Sequence, residues 1–389
     1  MSKPRIGILF GGRSGEHEIS LLSAASILQD IDRSKYDVQL IGIAKDGRWL
    51  ASTDAEHLLA SKYDDQHLRA GDPEATALAT VIGQGQAAHA KTAQNSLLTL
   101  QSSAEKSLAV DVIFPVLHGT FGEDGTVQGL FELADIAYVG SGVLGSSAGM
   151  DKDVTKRLFT AARLPITKYV PLLRAEWQKN PKRIVQQIET MLRYPFFVKP
   201  ANLGSSVGIS KVHDRKELAP AIDLAASYDR KIVVEEGVGG KRGKARELEV
   251  AVLGNDDPEA SVVGEIIPNK EFYDYDAKYL SEGSKPVIPA KLTKAEAKRV
   301  RQMAISAFHA CECSGLARVD FLMEPGVSTA AKPRKIYINE INTMPGFTAI
   351  SMYPKLWAAS GLPYPKLIDR LITLAQERHR EKIKTHYSL

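Results

Sequence analysis

Apolar positions recur along this chain with two different periods. Short aliphatic runs bounded by glycine, proline or charged residues predict strands at residues 5–10, 36–44, 111–117, 195–200, 232–236 and 247–253. Two more follow: one from Gly315 that ends in Asp320 and Phe321, and one over 335–342 with its apolar beat at Ile336, Ile338 and part of Ile341. The longer helical period covers 21–31, 151–163 (capped by Asp151 and ended by Pro165), 293–313 and 364–384. Strand, glycine-rich turn and helix in succession begin an α/β domain. The turns GGRSGEHEIS and HGTFGEDGTVQG each follow a strand, at the edge where such sheets bind ligands. Their glycines do not spell G-x-G-x-x-G, so a dinucleotide fingerprint is not supported. Residues 51–107 are Ala/Ser/Gln-rich and poorly periodic, and predict a surface-proximal insertion without nameable chemistry.

Composition narrows the class. A chain of 389 residues suffices for two or three domains. Fifty Lys+Arg against 46 Asp+Glu leave a net charge of only +4, too even for a nucleic-acid partner or a polybasic membrane contact. The basic run 378–384 reads as a solvated helix end. The two cysteines, Cys311 and Cys313, are expected on a helix with their thiols to different sides. With no second pair they imply neither a disulfide framework nor a zinc site, and read as core thiols of a reducing cytosol. Lys3 and Arg5 lead straight into IGILF, too short for a signal sequence, and no apolar run reaches about 18 residues. The expectation is a cytoplasmic protein with no membrane partner.

Candidate chemistry concentrates in residues 315–353. Glu340 and Asn342 are two apart, so a strand puts both oxygens on one face. If the two strands pair, their backbones lie about 4.8 Å apart and Asp320 meets Glu340 across the sheet. Two such carboxylates repel by roughly 4 kcal/mol at an effective dielectric near 20, a cost that a cation removes. Oxygen ligands with no Cys or His nearby favour Mg²⁺ or Mn²⁺ over zinc; the bland reading is a solvated hairpin with acidic ends. Lys199 is delivered by PFFVKP, and Gly204, Ser205, Ser206 and Gly208 then offer backbone N–H groups and hydroxyls with little bulk. This suits a lid over phosphates, and a plain linker rarely sits between two tight strands. Two residues stay open on this reading: Glu16 is either functional or a first-turn acid favouring the helix dipole, and His118 either a turn histidine or a carboxylate binder.

Seven stretches together resemble the D-alanine–D-alanine ligases of the ATP-grasp superfamily: GGRSGEHEIS, HGTFGEDGTVQGLFE, GMDK, FVKPANLGSSVGISKV, EFYDYDAKY, ARVDF and INEINTMPGFTAISMYP. They fall in order over nearly the whole chain. The resemblance implies an α/β (α+β) chain with the three-domain ATP-grasp fold. Residues 1–140 would form an N-terminal α/β substrate-binding domain, 141–236 a central domain with the phosphate-covering lid, and 237–389 a C-terminal domain carrying the metal site. ATP would lie between the last two. It also implies a cytoplasmic homodimer serving peptidoglycan precursor synthesis: ATP phosphorylates one D-alanine, and the amine of a second attacks the acyl phosphate.

By the same resemblance, Lys152 and Lys199 clamp the nucleotide phosphates, Lys278 sits at the γ-phosphate, and Glu235, Glu236, Val238, Glu247, Phe272 and Asn339 complete the nucleotide site. Asp320, Glu340 and Asn342 would hold two Mg²⁺ ions, replaceable by Mn²⁺. Arg318 and a backbone N–H at Gly346 would steady the transferring phosphoryl group and the oxyanion. Glu16 would take the ammonium and His118 the carboxylate of the first D-alanine, and Ser351 and Met352 the second. Ser205 and Tyr279 would link to Glu16 and lock the lid. Residues 237–248 look longer and more basic than the usual link. Ligases that form the lactate ester are understood to carry a histidine in the loop that here reads FYDYDAKYL, where Tyr279, with a phenol pKa near 10, brings no positive charge. The rival readings are a D-alanyl-D-lactate or D-alanyl-D-serine ligase, a metal-dependent hydrolase, and a nucleotide-binding regulator. The hydrolase leaves Lys152, Lys199 and the lid unexplained, and the regulator leaves Glu16, Arg318 and Ser351 unexplained.

Overall fold

A computed structural model describes residues 2–60, 110–239, 243–268, 284–327, 333–348 and 350–386. Its strands form three sheets, taken up in chain order. The first contains β1 (Arg5–Gly11), β2 (Asp37–Ile43), β3 (Trp49–Ala51), β4 (Val112–Pro115) and β5 (Ala137–Tyr138), in the order β3-β2-β1-β4-β5. β1 is an unbroken apolar run because it is central and parallel to both neighbours, with both faces covered. The chain leaves β1 towards β2 on one side and returns to β4 on the other. The crevice between the ends of β1 and β4 is therefore a topological switch point, and both glycine-rich turns open there.

The second sheet is antiparallel: β6 (Tyr169–Leu173), β7 (Phe196–Pro200), β8 (Ser210–Val212) and β9 (Lys231–Glu236), in the order β6-β9-β7-β8. Ile188 and Ile222 from two covering helices pack on Phe196 and Val234. The third sheet is also antiparallel. Its main path runs β13 (Ser284–Val287), β12 (Gly264–Pro268), β10 (Arg246–Gly254), β14 (Gly315–Met323) and β15 (Ile336–Asn342), with β11 (Glu259–Ala260) paired to β10. In β14, Val319, Phe321 and Met323 face the core while Arg318, Asp320 and Leu322 face the opposite side. β15 keeps that alternation only as far as Ile338. A bulge between Asp320 and Phe321 shifts the register, so Ile338 and then Ile341 are buried, and Asn339 and Glu340 both fall on the open side. This is why the apolar beat at Ile341 is out of step in the sequence.

Four expectations need correction. The first helix begins at His17, before its apolar periodicity, because Glu16 already occupies the N-cap position. Residues 52–60, expected within the insertion, form a helix whose Ala55 and Leu58 are buried in the first core; residues 61–109 lie outside the described residues. The helix predicted over 293–313 stops at Ala310, so Cys311 and Cys313 sit in the turn beyond it. Both are free and buried, and burial raises the Cys313 thiol to about 12. The basic run 378–384 is not simply solvated. The Arg378 guanidinium lies 4.2 Å from the Tyr138 ring centroid and donates to the Gly140 and Tyr138 carbonyls.

That contact belongs to a larger one. Leu356, Leu367 and Leu371, from helices Met352–Ala359 and Tyr364–Lys382, join Phe10 and Phe114 of the first sheet and Leu253 of the third in one core. Phe347, fully buried, meets the rings of Phe114 at 5.7 Å and Tyr364 at 5.3 Å. Burying such a ring contributes about 1.5–3 kcal/mol, so the loop from Thr343 to Phe347 is pinned where β15 ends. Helix Lys152–Ala161, early in the chain, packs Phe159 into the third sheet's core.

Candidate active site

The described residues surround a cleft of about 620 Å³, within the range of roughly 300–1,000 Å³ common for small-molecule sites. At its first-sheet end stands Glu16, where Ser205 donates a hydrogen bond from its Oγ to Glu16 Oε1. Gly119, at φ 73°, is needed here because a Cβ on it would come within 2.5 Å of Glu16 Oε2. The loop joining β7 to β8 holds Ser205 and Ser206 at φ 50° and 60°. A side chain in the left-handed region costs about 1 kcal/mol or more, so other contacts must impose this shape. Lys152 bonds the Ala201 carbonyl through its backbone N–H (3.0 Å) and the Leu203 carbonyl through Nζ (2.7 Å). Asn202 is held by Asp229. Ser205→Ala is therefore expected to lower turnover far more than melting temperature, since one hydrogen bond from a loop hydroxyl to a carboxylate adds no more than roughly 1.5–3 kcal/mol to folding. Parallel losses of both, read by phosphate release and thermal melting, would assign Ser205 a structural role only.

His118 is buried and bonded through both ring nitrogens: Nδ1 to the Met344 carbonyl at 3.0 Å and Nε2 to Ser23 Oγ at 3.0 Å. Since a carbonyl only accepts, Nδ1 carries the proton. Burial pulls the imidazole below its ordinary pKa against the pull of Glu16, which favours the neutral ring and makes Ser23 the donor to Nε2. The Phe347 N–H donates to Ser23 Oγ (3.3 Å), and the Met344 N–H to Glu123 Oε1 (3.0 Å). Ser23, His118 and Glu123 thus hold both sides of the loop that presents Gly346. Glu123 also accepts from the Gly119 N–H, and burial, then the nearby Glu16 charge, raise its carboxyl to about 8.

The opposite wall is basic. Lys156 donates to Glu235 Oε1 at 2.5 Å, Thr167 shares that oxygen, and Lys199 lies 2.6 Å from Oε2 and 3.3 Å from Asn339 Oδ1. Burial alone would raise the Glu235 carboxyl, but the two ammonium groups more than reverse it and hold it far below the carboxylate range. Burial likewise lowers Lys199, and Glu235 with Glu340 outweighs it, leaving the ammonium raised.

Between these walls lies a row set by sheet register. Asp320 pairs with Glu340 on one side and with Glu249 on the other. Arg318, two residues before Asp320 on the same face, donates to both Asp320 oxygens at 2.7 Å, while Asn342 Nδ2 donates to Oδ2 at 3.1 Å. Among the described residues no three His, Cys, Asp or Glu side chains converge as a preformed metal cage. Two carboxylates and one amide side chain lining one cleft nevertheless have the oxygen-rich chemistry that fits Mg²⁺, which takes one or two carboxylates and completes its shell with phosphates and water.

Most of the expected site residues share this cleft: Glu16, His118, Lys152, Lys199, Ser205, Val238, Glu247, Arg318, Asp320, Asn339, Glu340, Asn342, Gly346, Ser351 and Met352 line it. Glu235 sits behind Lys199, and Glu236 accepts from the Arg193 N–H at 3.2 Å. Phe272, Lys278 and Tyr279 lie outside the described residues. Sequence reasoning missed Glu123, Lys156 and Glu249. Two carried a usable signal: Lys156 follows Lys152 by one helical turn, and Glu249 follows Glu247 on the same strand face.

A cleft lined by Lys152 and Lys199, by the Arg318, Asp320 and Glu340 row and by the small residues Gly204, Ser205 and Ser206 belongs to an ATP-grasp enzyme. Residues 5–141 match the family model described as D-ala D-ala ligase N-terminus, and residues 158–373 the one described as D-ala D-ala ligase C-terminus. The chain is 49% identical over 382 residues to the D-alanine–D-alanine ligase of Chloroherpeton thalassium, covering 98% of this chain and 99% of that one. The solved D-alanine–D-alanine ligase from Coxiella burnetii superposes with a TM-score of 0.78 at 37% identity, covering 99% of this chain and 97% of that chain. The VanG D-Ala:D-Ser ligase from Enterococcus faecalis follows at 0.76 and 34%, covering 96% and 100%. The chain belongs to the D-alanine–D-alanine ligase family, whose members use ATP. No helix among the described residues is long and apolar enough to cross a membrane.

Proposed function

We propose that this protein joins two D-alanines into D-alanyl-D-alanine at the expense of ATP, as its relatives are named for doing, in the cytoplasm and for the cell wall. The observation that carries the reading is the single cleft in which Glu16 and the Ser205 lid face the Arg318–Asp320–Glu340 row. A carboxylate oxygen of the first D-alanine attacks the γ-phosphorus of ATP, ADP leaves with the bond's electron pair, and an acyl phosphate forms. The amine of the second D-alanine then attacks the carbonyl carbon, loses a proton, and expels phosphate.

Phosphoryl transfer between anions needs positioning and positive charge rather than covalent help. Lys152 and Lys199 supply charge to the nucleotide phosphates, with Lys278 proposed at the γ-phosphate. Glu235, Glu236, Val238, Glu247, Phe272 and Asn339 are assigned to the nucleotide. Glu16 takes the ammonium of the first D-alanine, His118 is proposed for its carboxylate, and Ser351 and Met352 contact the second substrate. Arg318 and the Gly346 N–H steady the charge that develops on phosphoryl and carbonyl oxygens. Asp320, Glu340 and Asn342 are assigned two Mg²⁺ ions, or Mn²⁺, which when bound would neutralise charge on the β- and γ-phosphates. The lid, through Ser205 on Glu16 and with Tyr279 proposed to join that link, would keep water from the acyl phosphate. Residues 1–140, 141–236 and 237–389 are proposed as the working units, and two chains as the assembly.

The choice of second substrate rests on charge. Tyr279 brings none at neutral pH, so the ammonium of D-alanine is not repelled. Phosphate release from ATP is expected to require D-alanine, and a D-alanine and D-lactate mixture in equal amounts at neutral pH to yield the dipeptide with negligible ester. Predominant ester would reverse the substrate assignment, and predominant D-alanyl-D-serine in a mixture with D-serine would move the chain to the specificity named for the Enterococcus faecalis enzyme.

A further inference from the structure

Glu249 is a buried carboxylate of the cleft to which the reaction above gives no role. It lies on β10, directly across from Asp320 on β14, while Glu340 on β15 flanks Asp320 from the other side. Asp320 is therefore shared by two neighbours of like charge. The Arg318 guanidinium lies between Asp320 and Glu249: Nε is 2.7 Å from Asp320 Oδ1 and 3.3 Å from Glu249 Oε2. Arg318 Nε and Nη2 both bind Asp320, so in this arrangement Asp320 presents its oxygens to arginine.

Those oxygens cannot serve both partners fully. A cation between Asp320 and Glu340 draws Asp320 away from the guanidinium, which is itself confined, its side chain 17% exposed. A guanidinium left unpaired in such a place is costly. We propose that Glu249 is a positioning residue that takes over Arg318 when Asp320 turns to the metal. It keeps the arginine in the cleft, aimed at the transferring group, and stops it from competing for the metal ligand. This rests on the reading of Asp320 as a metal ligand, and the test separates the two.

The readout is the gain in ADP affinity on adding Mn²⁺, measured by titration calorimetry on the full chain with and without the ion. Asp320→Asn is expected to abolish the gain; if it does not, the metal reading itself fails. Glu249→Gln should cut the gain by about tenfold, because Arg318 then keeps its hold on Asp320 and opposes the ion. In an Arg318→Met background the competitor is absent, so the gain should be at least that of the wild type, and adding Glu249→Gln should change it by less than about twofold. An equal tenfold loss in both backgrounds would make Glu249 a metal ligand and overturn the proposal, as would no loss in either. Glu249→Asp, which keeps the charge, should restore most of the gain. Glu249→Met, which also removes the charge, takes the place of the Gln variant, with the same loss expected, if that variant does not fold.

Discussion

Glu340→Gln is expected to reduce D-alanine-dependent phosphate release by roughly three orders of magnitude or more, about 4 kcal/mol of transition-state stabilisation, while the protein still folds. The register sets Glu340 beside Asp320 at the bulge, within electrostatic reach of Lys199. The change keeps the shape of the side chain and removes one negative charge, which would weaken the hold on the proposed cations. Turnover within about tenfold of the wild type at saturating Mg²⁺ would remove Glu340 from the metal site. An unchanged circular-dichroism melt is the control that the loss is chemical.

Lys156→Met should act on stability first. Lys156 is 2% exposed and lies 2.5 Å from Glu235. Removing one partner of a buried ion pair costs about 3–5 kcal/mol when the other charge is left uncompensated, and here Lys199 remains on Glu235 and keeps the loss at the lower end. At roughly 2–4 °C per kcal/mol for a unit of 150–250 residues, the melting temperature should fall by about 10 °C. Lys199 is then drawn onto Glu235 alone, so ADP binding should weaken as well. The sign with pH follows from the depressed Glu235 carboxyl: the pair's contribution is complete above the unfolded carboxyl pKa and is lost as acid takes pH down towards the folded value. The deficit of Lys156→Met relative to wild type should therefore be full at neutral pH and shrink only in strong acid. Lys156→Met combined with Glu235→Met should recover much of the stability but not the affinity. A melt unchanged by the single substitution would mean that Glu235 is satisfied without Lys156.

Whatever depends on spacing within one element was legible in the amino-acid order. The two-residue step from Glu340 to Asn342 and from Arg318 to Asp320 puts each pair on one strand face. The order of the glycine-rich turns marks the open edge of the first sheet, and seven motifs in order point to the family. Whatever depends on a neighbour from elsewhere in the chain came only with the folded arrangement. The bulge that turns Asn339 and Glu340 to the same side exists only because β14 pairs with β15. Glu235 reads as a strand-end acid, but its partners Lys156 and Lys199 come from a distant helix and strand. Arg378 reads as solvated until the C-terminal helix lies against Tyr138. Glu249 is one more charge on a strand until the sheet sets it opposite Asp320. A side chain's period reports which way it points, whereas its energy depends on what it meets there. In a buried, low-dielectric interior the charge or dipole it meets outweighs its own intrinsic preference.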